Sequence, residues 1–287
     1  MTTNVIEESA CLNCGQLLTG PYCAGCGQKR LPSDLTLREL LHETTHELAH
    51  WDGKIPATLN ALFFTPGLLT LDFLAGRRAR WLLPLRLYLI CSIAYFLSGA
   101  MVETITHRSA RDMAEITITN PDGTKDLSPE GRKELEEGWP ARVFGMDRLE
   151  RAVANPAQLN HEIQLILPKA MFLMLPLFAT LTRVAWRKKQ PLYPAHLYLA
   201  LHLHAAWFGA MTIQTLVEGF LPFTVVEAIA GLAAFAYIVW YGLLTVRRVF
   251  NDSWPVTLAK VLGVSIVYGL FMVVMSLALL GLVLLRM

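Results

Sequence analysis

The sequence predicts an all-α integral membrane protein of about five transmembrane helices, with a small cysteine-rich ribbon and an amphipathic interfacial helix near its N-terminal end. Three observations carry that expectation. Of the 287 residues, 54% are hydrophobic and only 17% charged, against about 25% charged in an ordinary soluble domain. The apolar residues fall in long blocks and do not alternate or scatter. Lys and Arg gather between some of these blocks, while other connections are mixed or acidic. A net charge of only +2 leaves no broad basic face, so no nucleic acid is expected as a partner.

The chain divides into a tail and ribbon (1–32), an interfacial segment with a broken apolar hairpin (33–81) and a transmembrane bundle (82–287). The tail MTTNVIEESA is polar and acidic, unlike the apolar core of a secretory signal. Cys11, Cys14, Cys23 and Cys26 then form two hooks, CLNCG and CAGCG, each followed by Gln. A CxxC turn aims both sulfurs at one point, and Gly15 and Gly27 relieve backbone crowding behind it. Two hooks complete a tetrahedron of thiolates, the set expected for one structural Zn2+ in a reducing cytosol. A redox CxxC pair is the competing chemistry, but it belongs to a βαβ context that this stretch lacks. Four thiolates leave no open coordination position. Cys91 lies in an apolar run and reads as packing.

LPSDLTLRELLHETTHELAHW follows, with a capping box from Thr36 to Glu39. Leu37, Leu40, Leu41, Thr44, Leu48 and Trp51 share one stripe, with the Glu and His residues opposite, which suits a membrane surface or a partner groove. His42, His46 and His50 also write HExxH twice, the pattern of a catalytic zinc helix with Glu43 or Glu47 as base. The stripe faces away from the apolar side, and no metzincin GxxH follows. The expectation is a solvated face, with a membrane metalloprotease as the alternative.

Five apolar runs have the roughly 20 residues needed to cross a bilayer: about 82–101, 163–182, 195–217, 223–246 and 256–285. A sixth stretch, 55–74, is interrupted by Pro66-Gly67 and carries Asp72, so it reads as a re-entrant or interfacial hairpin. That choice places the N-terminus, Arg77, Arg78 and Arg80 on one side with Arg187-Lys188-Lys189 and Arg247-Arg248, as the positive-inside rule favours. Loop 102–162 then lies outside. It contains ITITNPDG, a turn flanked by strand-like alternation, and a charged helical stretch from Ser128 to Glu137.

Two polar constellations sit at or in the bundle. GRRARWLLPLRLY carries Arg77, Arg78, Arg80 and Arg86. These are either topogenic charge or a site for lipid phosphate, with Trp81 as an interfacial anchor. His196, His202 and His204 lie inside the third run, where histidines are costly. They serve either helix packing or a proton or metal role. Lys169 and Glu227 stand near the outer ends of their spans.

The two CxxCGQ hooks, the Leu/His-rich helix, the stretch with Pro66, Phe73, Gly76, Arg78, Arg80, Trp81, Pro84 and Tyr88, and the later His196, His202 and His204 together form a pattern. It resembles a bacterial family of uncharacterised polytopic membrane proteins, a domain of unknown function with an N-terminal zinc ribbon. The resemblance spans most of the chain except loop 102–162. It implies the topology, the ribbon and a bacterial inner-membrane location with the N-terminus cytoplasmic; it implies no reaction. The expected role is a zinc-ribbon-bearing binding or assembly module, in contact with membrane lipids and with a protein partner through the ribbon. A transporter or lipid-handling protein is the alternative from a different class.

Overall fold

The computed structural model describes residues 10–30, 53–106, 117–119, 125–127, 129–154, 156–221 and 223–286. The predicted amphipathic helix with His42, His46 and His50 lies outside the described residues. The rest is mostly helical: α1 (Ile55–Phe64), α2 (Leu68–Leu74), α3 (Pro84–Thr106), α4 (Pro129–Glu137), α5 (Trp139–Phe144), α6 (Met146–Ala154), α7 (Pro156–Trp186), α8 (Tyr193–Phe220), α9 (Thr224–Phe250) and α10 (Trp254–Arg286). The strand-like alternation of the 102–162 loop does form strands. Thr117–Thr119 (β1) pairs antiparallel with Lys125–Leu127 (β2), a small departure from an all-α chain.

Among the described residues, three helices are long and apolar enough to cross a membrane: Pro84–Val102 within α3, Thr224–Phe250 and Trp254–Arg286. The α1–α2 pair makes a fourth if it is counted as one span. By length and apolarity the described residues thus supply three or four candidate spans. The runs 163–182 and 195–217 are helical, within helices of 31 and 28 residues. The described apolar stretch of α7 runs from Ala170 to Trp186, and α8 carries three histidines that dilute its apolar character. On α10 only 6% of the most apolar window is buried against protein. Leu262, Ile266, Leu270 and Val273 stand exposed along it, a continuous apolar face that water would not tolerate.

The chain forms two compact units. One comprises residues up to Gly99 with Phe178–Val264; the other comprises Ala100–Leu177 with Ser265–Met287. In the second unit, Gly281 lets α10 pass close to the Phe144 ring. Arg286 bonds Glu162 at 3.1 Å and Arg132 bonds Glu150 at 2.7 Å.

The first unit holds the hairpin. Helix α1 ends at Thr65, whose hydroxyl donates back to the Ala61 carbonyl at 2.7 Å. Gly67 then adopts φ 82°, a left-handed turn, in contact with the Thr245 backbone. The two arms differ in direction by 114°, so α2 turns back on α1. Contacts along the walls show where each arm lies. The Leu82 amide, just before α3, donates to Thr58 Oγ1 at 3.2 Å near the start of α1. Phe63 packs on Gly209, and its carbonyl accepts the Tyr237 hydroxyl at 3.1 Å. On the way back, Thr70 meets His202 and Phe73 meets Tyr198. At a rise of 1.5 Å per residue, the Gly209 and Tyr237 that meet Phe63 are about 17 and 20 Å from the nearer ends of α8 and α9. Both feet of the hairpin thus lie beside the start of α3, and its bend at Pro66-Gly67 lies against Thr245 and Arg248 in the last turns of α9.

Beneath the feet, Trp186, Leu199, Val246 and Phe250 form a core, with Trp186 stacked on Phe250 at 4.6 Å. Leu74 shares a cavity of about 340 Å³ with Lys189, Gln190, Val249, Phe250 and Asn251. The basic connections after α7 and at the end of α9 therefore meet the end of α2 at one end of this unit.

Candidate metal centre and the loop it clasps

The two hooks share one local geometry. Cys11 N–H donates to the Gln16 carbonyl and Gly15 N–H to the Cys11 carbonyl, both at 2.8 Å. Cys23 N–H to Gln28 and Gly27 N–H to Cys23 repeat the pattern at 2.9 Å. Gly15 (φ 77°) and Gly27 (φ 72°) take the left-handed conformation that closes each hook and that a β-carbon disfavours. Bridges Ala10–Leu17 and Tyr22–Lys29 tie the hook bases.

All four sulfurs lie within 4.8 Å of one another. Cys11 Sγ is 3.6 Å from Cys26 Sγ, and Cys14 Sγ is 3.4 Å from Cys23 Sγ. A tetrahedral ion bound at about 2.3 Å holds its sulfurs about 3.8 Å apart, so the set fits a single metal ion with little adjustment. The Cys26 and Gly25 N–H groups directed at Cys23 bring its thiol down to about 7, while Cys14, despite the Gln16 N–H, is raised to about 12 by the Cys23 sulfur beside it. Among the described residues these cysteines are the grouping of metal-binding type.

The glutamines after the hooks diverge. Gln16 folds its amide over Gly25, where a β-carbon would stand 1.9 Å from its oxygen. Gln28 reaches out of the ribbon. Its Nε2 donates to the Gly76 carbonyl at 2.8 Å, and its Oε1 accepts Arg78 N–H at 3.0 Å and Ala79 N–H at 3.1 Å. Leu12 lies against Gly76 so closely that a β-carbon there would stand 2.5 Å from its Cδ1. The ribbon is thereby fastened to the GRRAR loop.

That loop starts from a Schellman turn at the end of α2. Gly76 N–H bonds the Phe73 carbonyl at 3.1 Å, and Arg77 N–H bonds the Asp72 carbonyl at 2.8 Å, with Gly76 at φ 76°. Asp72 thus sits in the last turn of a helix, where its charge meets the negative end of the dipole. Its carboxylate is 1% exposed. Oδ1 accepts Arg77 Nε at 2.9 Å and Nη2 at 2.6 Å, while Oδ2 accepts Trp81 Nε1 at 2.7 Å and the Arg80 guanidinium. Two of the arginines singled out from the sequence are therefore engaged with Asp72, though 41% and 52% of their side chains remain exposed. Arg78 is buried, its guanidinium 5.6 Å above the Tyr198 ring and 5.9 Å above Phe73. Arg86 is buried as well. Trp81 donates to Asp72 and lies under Arg80 at 4.8 Å.

The three histidines separate. His196 bonds the Gln190 carbonyl at 2.9 Å and stacks on Phe250. His202 bonds Thr70 Oγ1 at 3.0 Å. His204 bonds the Ala200 carbonyl at 2.7 Å and meets the edge of Phe178. Each serves a different contact, and they converge on no shared point.

Sequence reasoning assigned no binding role to three residues. Gln28 was legible only as part of a repeat. Asp72 had a signal, an acid inside an apolar run followed by Arg at five and eight positions and Trp at nine. Asp252, between α9 and α10, accepts Trp186 Nε1 at 2.8 Å and Lys260 Nζ at 3.1 Å and pairs with Lys189. Burial opposes its charge, yet these donors hold its carboxyl down at about 2. Arg248 also has a structural task, donating to the Pro66 carbonyl at the hairpin bend at 2.7 Å.

A family model described as "Protein of unknown function (DUF3667)" matches residues 52–96, the hairpin, the GRRAR loop and the first half of α3. No curated protein and no solved structure matches the chain.

Proposed function

We propose that this chain is a five-span protein of the bacterial inner membrane, N-terminus cytoplasmic, that works as a binding or assembly module on a zinc-stapled cytosolic face. The observation that carries the reading is the fastening of the ribbon to the hairpin loop through Gln28. A zinc held by four cysteines is closed to substrate, so it supplies shape rather than chemistry. The re-entrant placement of α1–α2 is supported by the bond between Leu82 and Thr58, because feet joined at 3.2 Å cannot stand on opposite sides of a bilayer. Helices α7 and α8 complete the five spans, their polar residues turned to protein contacts such as His202 to Thr70. The basic segments after α7 and α9 meet the GRRAR end of the hairpin through the Leu74 cavity, which fits a common cytoplasmic side.

Leu17 and Tyr22, 56% and 59% exposed on the ribbon, are the apolar side chains offered to a protein partner. The test is native-gel migration of the purified protein and of Leu17→Ser with Tyr22→Ser. The expected outcome is loss of a higher-order complex with metal content unchanged. Wild-type protein migrating only as a single chain in its lipid shell overturns the assembly reading.

A transporter or lipid-handling role is the second reading. It rests on the buried polar groups beside a broken helix, Thr70, His202 and Arg86, and on the exposed outer edges of Arg77 and Arg80, which can still meet lipid phosphate. Flux or lipid transfer by reconstituted protein, abolished by His202→Ala, decides for it.

A further inference from the structure

We infer that Gln28 couples metal binding in the ribbon to closure of the Gly76–Ala79 loop over the hairpin, so that the two equilibria report on each other. The inference rests on the metal-centre reading above and adds a regulatory consequence to it.

Gln28 belongs to both structures at once. Its main-chain carbonyl accepts the N–H of Cys23, a residue of the second hook, at 2.9 Å. Its side chain holds Gly76 O, Arg78 N–H and Ala79 N–H, and the residue is only 9% exposed. The ribbon has a core of little more than Cys11, Leu18, Cys23 and Cys26. So small an apolar core does not hold a fold by itself, and metal binding supplies the folding energy. When the metal leaves, the second hook loses the geometry that aims Gln28, and two loop amides lose their acceptor.

The effect reaches the hairpin through adjacent residues. Directly after Ala79 come Arg80 and Trp81, which hold the buried Asp72 at the end of α2. Leu82 follows, bonded to Thr58 near the start of α1. The segment clasped by Gln28 is therefore the one that joins both feet of the hairpin. Because coupling of two binding equilibria is reciprocal, a docked loop must also tighten the ribbon's hold on its metal.

The test uses full-length protein in nanodiscs. Hydrogen exchange is read at the Arg78 and Ala79 amides, and zinc affinity is read by competition with a chromophoric chelator. In the wild type, stripping the metal should speed exchange at these two amides at least about tenfold. Metal-loaded Gln28→Ala should show the faster exchange already, respond little to stripping, and bind zinc about tenfold more weakly. Gln16→Ala, changed at the matching position of the other hook, should keep both amides protected while metal is bound. If stripping leaves the wild-type amides protected, or if Gln28→Ala binds zinc as tightly as wild type, the coupling is wrong although the metal centre stands. A wild-type protein that binds no zinc at all removes the metal centre itself and the coupling with it.

Discussion

The Asp72 node offers a stringent test of how the hairpin is held. Asp72→Ala removes the acceptor of four N–H bonds, two from Arg77 and one each from Arg80 and Trp81. The two arginines are about half exposed and regain water, so losing each pair costs about 0.5–1 kcal/mol. The Trp81 N–H is left without its partner at a cost of about 1–2 kcal/mol. Together these give about 3 kcal/mol for Asp72→Ala. Asp72→Asn keeps an oxygen for Trp81 and should cost about half as much. The sharper expectation concerns the arginines. Arg77→Ala with Arg80→Ala leaves a buried carboxylate at the negative end of a helix, a destabilising combination. Adding Asp72→Ala to that pair should restore part of the loss. The assay is denaturant unfolding in micelles followed by tryptophan fluorescence. An Asp72→Ala protein within about 0.5 kcal/mol of wild type, or a triple variant no more stable than the arginine pair, refutes the reasoning.

Three other outcomes follow from the same geometry. Gly76→Ala combines a disfavoured φ with a contact 2.5 Å from Leu12, so it should lower stability by more than about 1 kcal/mol; Gly20→Ala, with open space around it, should be neutral in the same unfolding assay. Asp252 has a folded pKa near 2, below its unfolded value, so its contribution is present above about pH 4 and is lost as pH falls toward 2. Asp252→Asn should remove about 2 kcal/mol of stability at neutral pH and flatten the acid limb, as seen in unfolding between about pH 6 and 2. Purified protein should carry one zinc per chain by elemental analysis, lost on Cys23→Ser. Two per chain would restore the HExxH metalloprotease reading of His42, His46 and His50.

Much of this protein was determined by composition and local spacing. Apolar blocks and charge counts require no partner to be read, because a bilayer selects helices by length and transfer energy alone. The hooks were equally legible: the spacing of Cys11, Cys14, Cys23 and Cys26 confines four sulfurs to one locus before any tertiary contact forms. Pro66-Gly67 marked the break in the hairpin, since proline and a left-handed glycine interrupt a helix locally. What the tertiary structure decided was which polar groups meet. Arg77, Arg78 and Arg80 look alike as a charge cluster, yet two converge on Asp72 and one lies between aromatic rings, because the Schellman turn at Gly76 throws successive side chains in different directions. His196, His202 and His204 form one motif on paper and three separate contacts in the fold, since each points to a different neighbour around α8. Gln28 is the clearest case. Gln16 and Gln28 occupy the same place in two copies of one hook. Only the approach of a loop about fifty residues away in sequence gives one of them a partner, and local sequence does not encode so distant a contact.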